Sequence, residues 1–224
     1  MKAESKNFDD SLPSLSRALA VWEIVSVFSS CLIVEWVVLA FAGKNKLIAA
    51  IPVLLVVALM LVSHRQRGET LRDIGLRTDN FLAACRLLLL PTALAVLLIL
   101  TAAWLMGYPI FAQPWRARFL SLPLWTFVQQ YTLNGFINRR AQLAFGKGLK
   151  SLMLVAVVFS VLHLPSPLLS VLTLVGGLLW GAVYQRQPNL FALALSHTII
   201  SLTVALTMRP GLLYSLRVGF KYFG

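Results

Sequence analysis

Acidic side chains are scarce in this chain: eight Asp and Glu stand against 20 Lys and Arg, and charged residues of all kinds make up 12%. A soluble globular domain carries about 25%. With 58% hydrophobic residues and a mean hydropathy of +0.80, the composition excludes a soluble fold. There are two cysteines, Cys31 and Cys85, both in apolar stretches; their spacing matches no metal motif, and they read as small apolar residues. No internal repeat, low-complexity tract or P-loop is present. The formal net charge of +12 invites a nucleic-acid reading. No basic and aromatic residues interleave on a soluble face, however, and the basic residues flank apolar runs. The charge therefore reads as topology and lipid-headgroup electrostatics, with membrane lipids as partners and no nucleic acid.

What the chain has is long apolar runs. Seven spans are drawn at about 19–42, 47–63, 81–107, 119–137, 150–164, 166–184 and 188–208. Apolar runs of about this length cross a hydrocarbon core about 30 Å thick, with 150–164 the shortest. The fold class is all-α: a polytopic membrane helical bundle of about seven transmembrane helices. The polar N-terminus runs straight into the first span, which is too long to be the core of a signal peptide. With the N-terminus inside, 12 Lys and Arg fall inside and 7 outside, with Arg86 left within a span. The expected topology has a cytoplasmic N-terminus and an external C-terminus. The expected organisation is a polar segment 1–18, helices over 19–118 with an amphipathic juxtamembrane segment 64–80, a core 119–208, and an interfacial tail 209–224. The spacing of Gly176-Gly177 and Gly181 predicts close helix packing in the sixth span.

Polar groups at membrane depth are costly and point to function. In the fourth span Gln130, Asn134 and Asn138 recur every four residues and share one helix face, with Gln129 and Thr132 on a neighbouring strip. Arg139 and Arg140 end the stripe and read as a cytoplasmic boundary. The fifth span is cut short by Pro165 and Pro167, which places His163 at a helix end. In the seventh, His197 and Ser201 stand four apart. Glu35 lies deep in the first span, where a charge costs at least ~2.5 kcal/mol unless paired or protonated. It is expected to stay protonated or pair with Arg86, or to act as a carboxylate facing the histidines.

These residues resemble, in order and spacing, the CPBP family of CAAX-processing and bacteriocin-processing intramembrane proteases, similar to the type II CAAX prenyl endopeptidases. The family pattern is Glu-Glu-x-x-x-Arg, then Phe-x-x-x-His, then His-x-x-x-Asn or Asp. Here Gln129-Gln130-x-x-x-Asn134 stands first, Phe159-x-x-x-His163 matches the second in full, and His197-x-x-x-Ser201 matches the third at its histidine. Residues 68–77, GETLRDIGLR, resemble the juxtamembrane segment of many members. The resemblance implies an intramembrane endopeptidase acting on a membrane-associated peptide or protein, in a multi-pass protein of the bacterial plasma membrane. Its catalytic set would be His163, His197, Gln129, Gln130, Asn134, Ser201 and Glu35. His163 would stabilise the oxyanion or bind water or metal, and His197 would be a second such group or the surviving base.

Where the family has glutamates this chain has amides, which cannot accept a proton at neutral pH. Asn134 replaces the family arginine, so the acid and its partner are neutralised together and no charge is stranded. A divalent metal such as zinc, held by His163 and His197, would lack a third protein ligand. Two other readings are a catalytically silent relative, which binds membrane peptides or confers bacteriocin immunity, and a small proton-linked transporter using His163, His197 and Glu35.

Overall fold

The computed structural model describes residues 5–41, 46–108, 120–207 and 218–223, and among them the chain is helical with no strand. Helix α1 (Ser5–Ile33) passes into a π-helical stretch, Val34–Val38, and a last turn, α2 (Leu39–Phe41). Then come α3 (Lys46–Gln66), the short α4 (Leu71–Ile74) and α5 (Phe81–Leu105). The amide-bearing stretch begins as α6 (Leu122–Gln130), widens into a π-helix over Tyr131–Asn138 and resumes as α7 (Arg139–Phe145). Helices α8 (Leu149–Val161), α9 (Pro167–Arg186) and α10 (Leu190–Thr207) complete the bundle.

Four helices among the described residues are long and apolar enough to cross a membrane: Ser16–Val38, Phe81–Leu105, Pro167–Arg186 and Leu190–Thr207. Two of the remaining expected spans are apolar but shorter, at Ala50–Gln66 and Leu149–Val161. The other, the amide-bearing stretch, is divided by its π-helix. Residues 109–119 and 208–217, which include parts of the expected connections and tail, lie outside the described residues.

The outer face of the bundle is largely apolar, and the amides are buried within its apolar core. On α5, Leu89 is 71% exposed, whereas Gln130, Asn134 and Asn138 are 0% exposed. In lipid that arrangement leaves leucine facing hydrocarbon and satisfies each amide internally. Helices α8 and α9 pack closely, α10 sits against α5 and α6, and α1 lies against α7 and α3. The core centres on Phe136, Ile137, Val155, Phe159, Trp180, Leu190 and Leu193. The small residues of α9 make the approach to α8 possible. A Cβ on Gly177 would fall 2.8 Å from the Ala156 Cα, and one on Gly181 would fall 2.7 Å from Leu152 Cδ1.

The segment before α5 is locked by its sequence. Thr70 and Asp73 form a capping box around α4, and Gly75 closes it with φ 92°. The Gly75 carbonyl accepts the Leu190 N–H (2.8 Å), the Tyr184 hydroxyl donates to the Ile74 carbonyl (2.7 Å), and Asn189 Nδ2 donates to the Arg77 carbonyl (2.7 Å). So the GETLRDIGLR stretch docks onto the α9–α10 corner and helps hold α10 in place.

Candidate active site

The amide stripe is a continuous hydrogen-bonded relay. Asn138 Oδ1 accepts from Gln142 Nε2 at 3.1 Å and from Gln185 Nε2 at 3.2 Å. Asn138 Nδ2 donates to Asn134 Oδ1 (2.9 Å), and Asn134 Nδ2 donates to Gln130 Oε1 (2.7 Å). Gln130 Nε2 is left to donate to His197 Nδ1, at 3.3 Å. Every amide thus points its donor the same way, toward His197. The carbonyl of Gly181, accessible because that residue has no side chain, takes the spare Asn138 donor at 3.3 Å. A π-helix, rare in general and found mostly at functional sites, carries the two asparagines.

The relay fixes the state of His197. With Nδ1 accepting, the ring proton sits on Nε2. Trp180 covers this ring at a centroid distance of 4.3 Å, and Trp180 Nε1 is anchored on Ser196 Oγ at 3.1 Å. His163 has the opposite tautomer. It lies in the turn after α8, as the prolines require, and its Nδ1 is 2.7 Å from the Phe159 carbonyl. A carbonyl only accepts, so Nδ1 carries the proton and Nε2 keeps its lone pair. Phe159 stands edge-on to both imidazoles, 4.7 Å from His163 and 5.9 Å from His197. Both histidines are buried.

The structure therefore gathers Gln130, Asn134, Phe159, His163 and His197. Gln129 and Ser201 are half-buried, and no hydrogen bond joins either to these side chains among the described residues. Glu35 does not pair with Arg86, which points outward from α5. Instead Glu35 occupies the π stretch that follows α1, with Oε2 buried and without a hydrogen-bond partner. Its backbone carbonyl lies against Gly219, and the Gly219 N–H donates to the Leu164 carbonyl at 2.9 Å. One glycine thus separates Glu35 from the turn that bears His163.

A resident zinc does not fit this donor set. A catalytic zinc takes three protein ligands, and no group of three His, Cys, Asp or Glu is gathered anywhere among the described residues.

A second polar cluster went unrecognised in the sequence. Arg139 and Arg140, expected as a simple boundary, belong to a buried ion network. Arg140, fully buried, lies 2.9 Å from Glu23 Oε2 through Nε and 2.9 Å from Glu69 Oε1 through Nη1. Arg139 reaches Glu69 at 2.7 Å, Arg67 reaches Glu23 at 2.8 Å, and His64 Nδ1 lies 2.5 Å from Glu69. Burial alone would raise the Glu69 carboxyl. The hydrogen bond with His64, then that from Arg139 and the charges of Arg140 and Arg139, outweigh it and hold the group at about 2. Asp73 is likewise lowered, chiefly by its hydrogen bonds from Thr70. The available sequence signal was the Glu in GETLRDIGLR together with two adjacent arginines directly after an amide stripe.

Residues 112–203 match the family model described as Type II CAAX prenyl endopeptidase Rce1-like, a span that contains the amide relay and both histidines. No curated protein and no solved structure matches the chain. Motif order and family model agree over residues 112–203, where the chain is similar to the type II CAAX prenyl endopeptidases.

Proposed function

We propose that this protein is an intramembrane endopeptidase, built on about seven transmembrane helices, that hydrolyses a membrane-associated peptide near the membrane surface. The observation that carries the reading is the pair of ring contacts, His163 Nδ1 on the Phe159 carbonyl and His197 Nδ1 on Gln130 Nε2, with both rings against Phe159; they imply a lone-pair Nε2 on His163 and an Nε2–H on His197. His163 Nε2 is the acceptor suited to a general base, and His197 Nε2–H is the donor suited to an oxyanion. This exchanges the roles that family resemblance alone suggested.

In the proposed reaction a water gives a proton to His163 Nε2 as its oxygen attacks the peptide carbonyl. The carbonyl oxygen, now negative, takes the hydrogen bond from His197. The C–N bond then breaks, and the His163 imidazolium returns the proton to the departing amine. Gln130 does not move protons; it holds His197 in the donor tautomer, with Asn134 and Asn138 holding Gln130. Each step uses groups that this chain itself supplies.

A second reading, a silent relative that binds peptides without cutting them, is favoured by one observation: the relay contains no carboxylate. The deciding experiment incubates the purified protein in proteoliposomes with a broad panel of membrane peptides and identifies products by mass spectrometry. New termini that disappear in the His163→Ala, His197→Ala double variant support the peptidase. Binding without any new terminus supports the silent relative.

A further inference from the structure

Val218–Phe223 is held by contacts that differ from ordinary helix packing. The Gly219 N–H donates to the Leu164 carbonyl at 2.9 Å, and the chain then turns through a short 3-10 helix, Gly219–Tyr222. Val218 packs against Leu169 and Val204, at the N-terminal end of α9 and near the end of α10. The Phe223 ring lies 6.4 Å from Trp36, on the same π stretch as Glu35. At the narrowest point Gly219 has φ 56°, and a Cβ there would fall 2.7 Å from the Glu35 carbonyl oxygen and 2.9 Å from Glu35 Cβ. Only a residue without a side chain fits. Beside this seat Glu35 Oε2 is buried without a partner, and Leu164 directly follows His163.

We propose that the cleft between Val34–Val38 and the turn at 162–166 is a peptide-docking seat. It takes a segment with an apolar residue, a glycine in the left-handed conformation and a tight 3-10 turn ending in an aromatic ring, and Val218–Phe223 occupies it as an internal ligand that a substrate displaces. The proposal rests on the peptide-processing reading above and extends it to a substrate class: peptides with glycine at the position seated between Glu35 and Leu164. The geometry explains why glycine is required there. The carbonyl and Cβ of Glu35 close one side, and the Leu164 carbonyl fixes the backbone on the other.

The test uses the full chain in proteoliposomes and reads carbodiimide modification of Glu35 by peptide mass spectrometry, which needs no turnover. Gly219→Leu should expel the segment and raise the Glu35 modification rate several-fold. Gly107→Leu is the control: Gly107 also has positive φ, at 68°, but a Cβ there would meet nothing within 4 Å. Phe223→Ala, a milder change that leaves the glycine seat intact, should give a smaller rise. A synthetic Val-Gly-Phe-Lys-Tyr-Phe peptide should restore protection in Gly219→Leu, and the same peptide with Leu for Gly should not. Equal modification in Gly219→Leu and Gly107→Leu would overturn the proposal, as would a rise that the glycine peptide fails to reverse. Protection without cleavage would sink the peptidase reading and keep the seat; cleavage without protection would do the reverse.

Discussion

Replacing Glu69 with glutamine removes one charge from the buried network and leaves the side-chain volume almost unchanged. The Glu69 side chain is 9% exposed, and its carboxyl is held at about 2 against an ordinary 4.5. At 1.36 kcal/mol per pKa unit, that difference is on the order of 3 kcal/mol of stability at neutral pH. Removing one partner of a buried pair costs about 3–5 kcal/mol in general, which is the same scale. Arg140, with 0% of its side chain exposed, would keep only Glu23 as a counter-charge. The sign follows from the lowered carboxyl. Its contribution is fully present above pH 4.5 and is lost as pH falls from 4.5 toward 2. Glu69→Gln should therefore lower the unfolding free energy by about 3 kcal/mol at pH 7 in a reversible micelle-denaturation assay. The gap between variant and wild type should shrink as pH falls from 4.5 toward 2. A gap at pH 7 of less than about 0.5 kcal/mol, the scatter of a neutral surface change, would refute the reasoning, as would a gap independent of pH.

Three other outcomes are expected. Asn134→Leu leaves Gln130 Oε1 and the Asn138 donor without their bonds, at about 1–3 kcal/mol for each unsatisfied group, and should free His197 to change tautomer, read by ¹⁵N chemical shifts of the imidazole. Gly177→Val drives a side chain into the Ala156 backbone and should destabilise the α8–α9 pair by about 1–3 kcal/mol in the same unfolding assay. A reporter fused at residue 145 should lie in the cytoplasm, as the Lys and Arg asymmetry requires; an external signal there would invert the topology.

Much of the site was legible because helical spacing is rigid. Gln130, Asn134 and Asn138 at intervals of four had to share a face, and Pro165 and Pro167 had to end the helix near His163. Gly177 and Gly181 announced close packing. The sequence did not reveal the π-helix over Tyr131–Asn138, since no residue type demands it and the α and π forms satisfy the same four-residue contacts. The direction of the amide relay was equally hidden, because it is set by Gln142 and Gln185, one of them on another helix. The Glu23–Arg140–Glu69 network was missed for a simple reason. Its members lie 46 and 71 positions apart along the chain, and arginines flanking an apolar run ordinarily mark a membrane boundary. Glu35 was correctly singled out as a buried carboxyl, but its neighbour is Gly219 rather than Arg86, a contact that only the folded chain creates.

The central claim is that Gln130, His163 and His197 form one hydrolytic site with divided roles. The most direct measurement is kcat/KM for a cleaved membrane peptide with wild type, His163→Ala, His197→Ala and Gln130→Ala. General-base removal costs about 10²–10⁴-fold, so His163→Ala should fall by that order. His197→Ala, losing one oxyanion donor, should fall by about 10²–10³-fold. Gln130→Ala should fall less than either, because it only orients His197. Unchanged turnover in both histidine variants, or a larger loss in Gln130→Ala than in His163→Ala, would contradict the account.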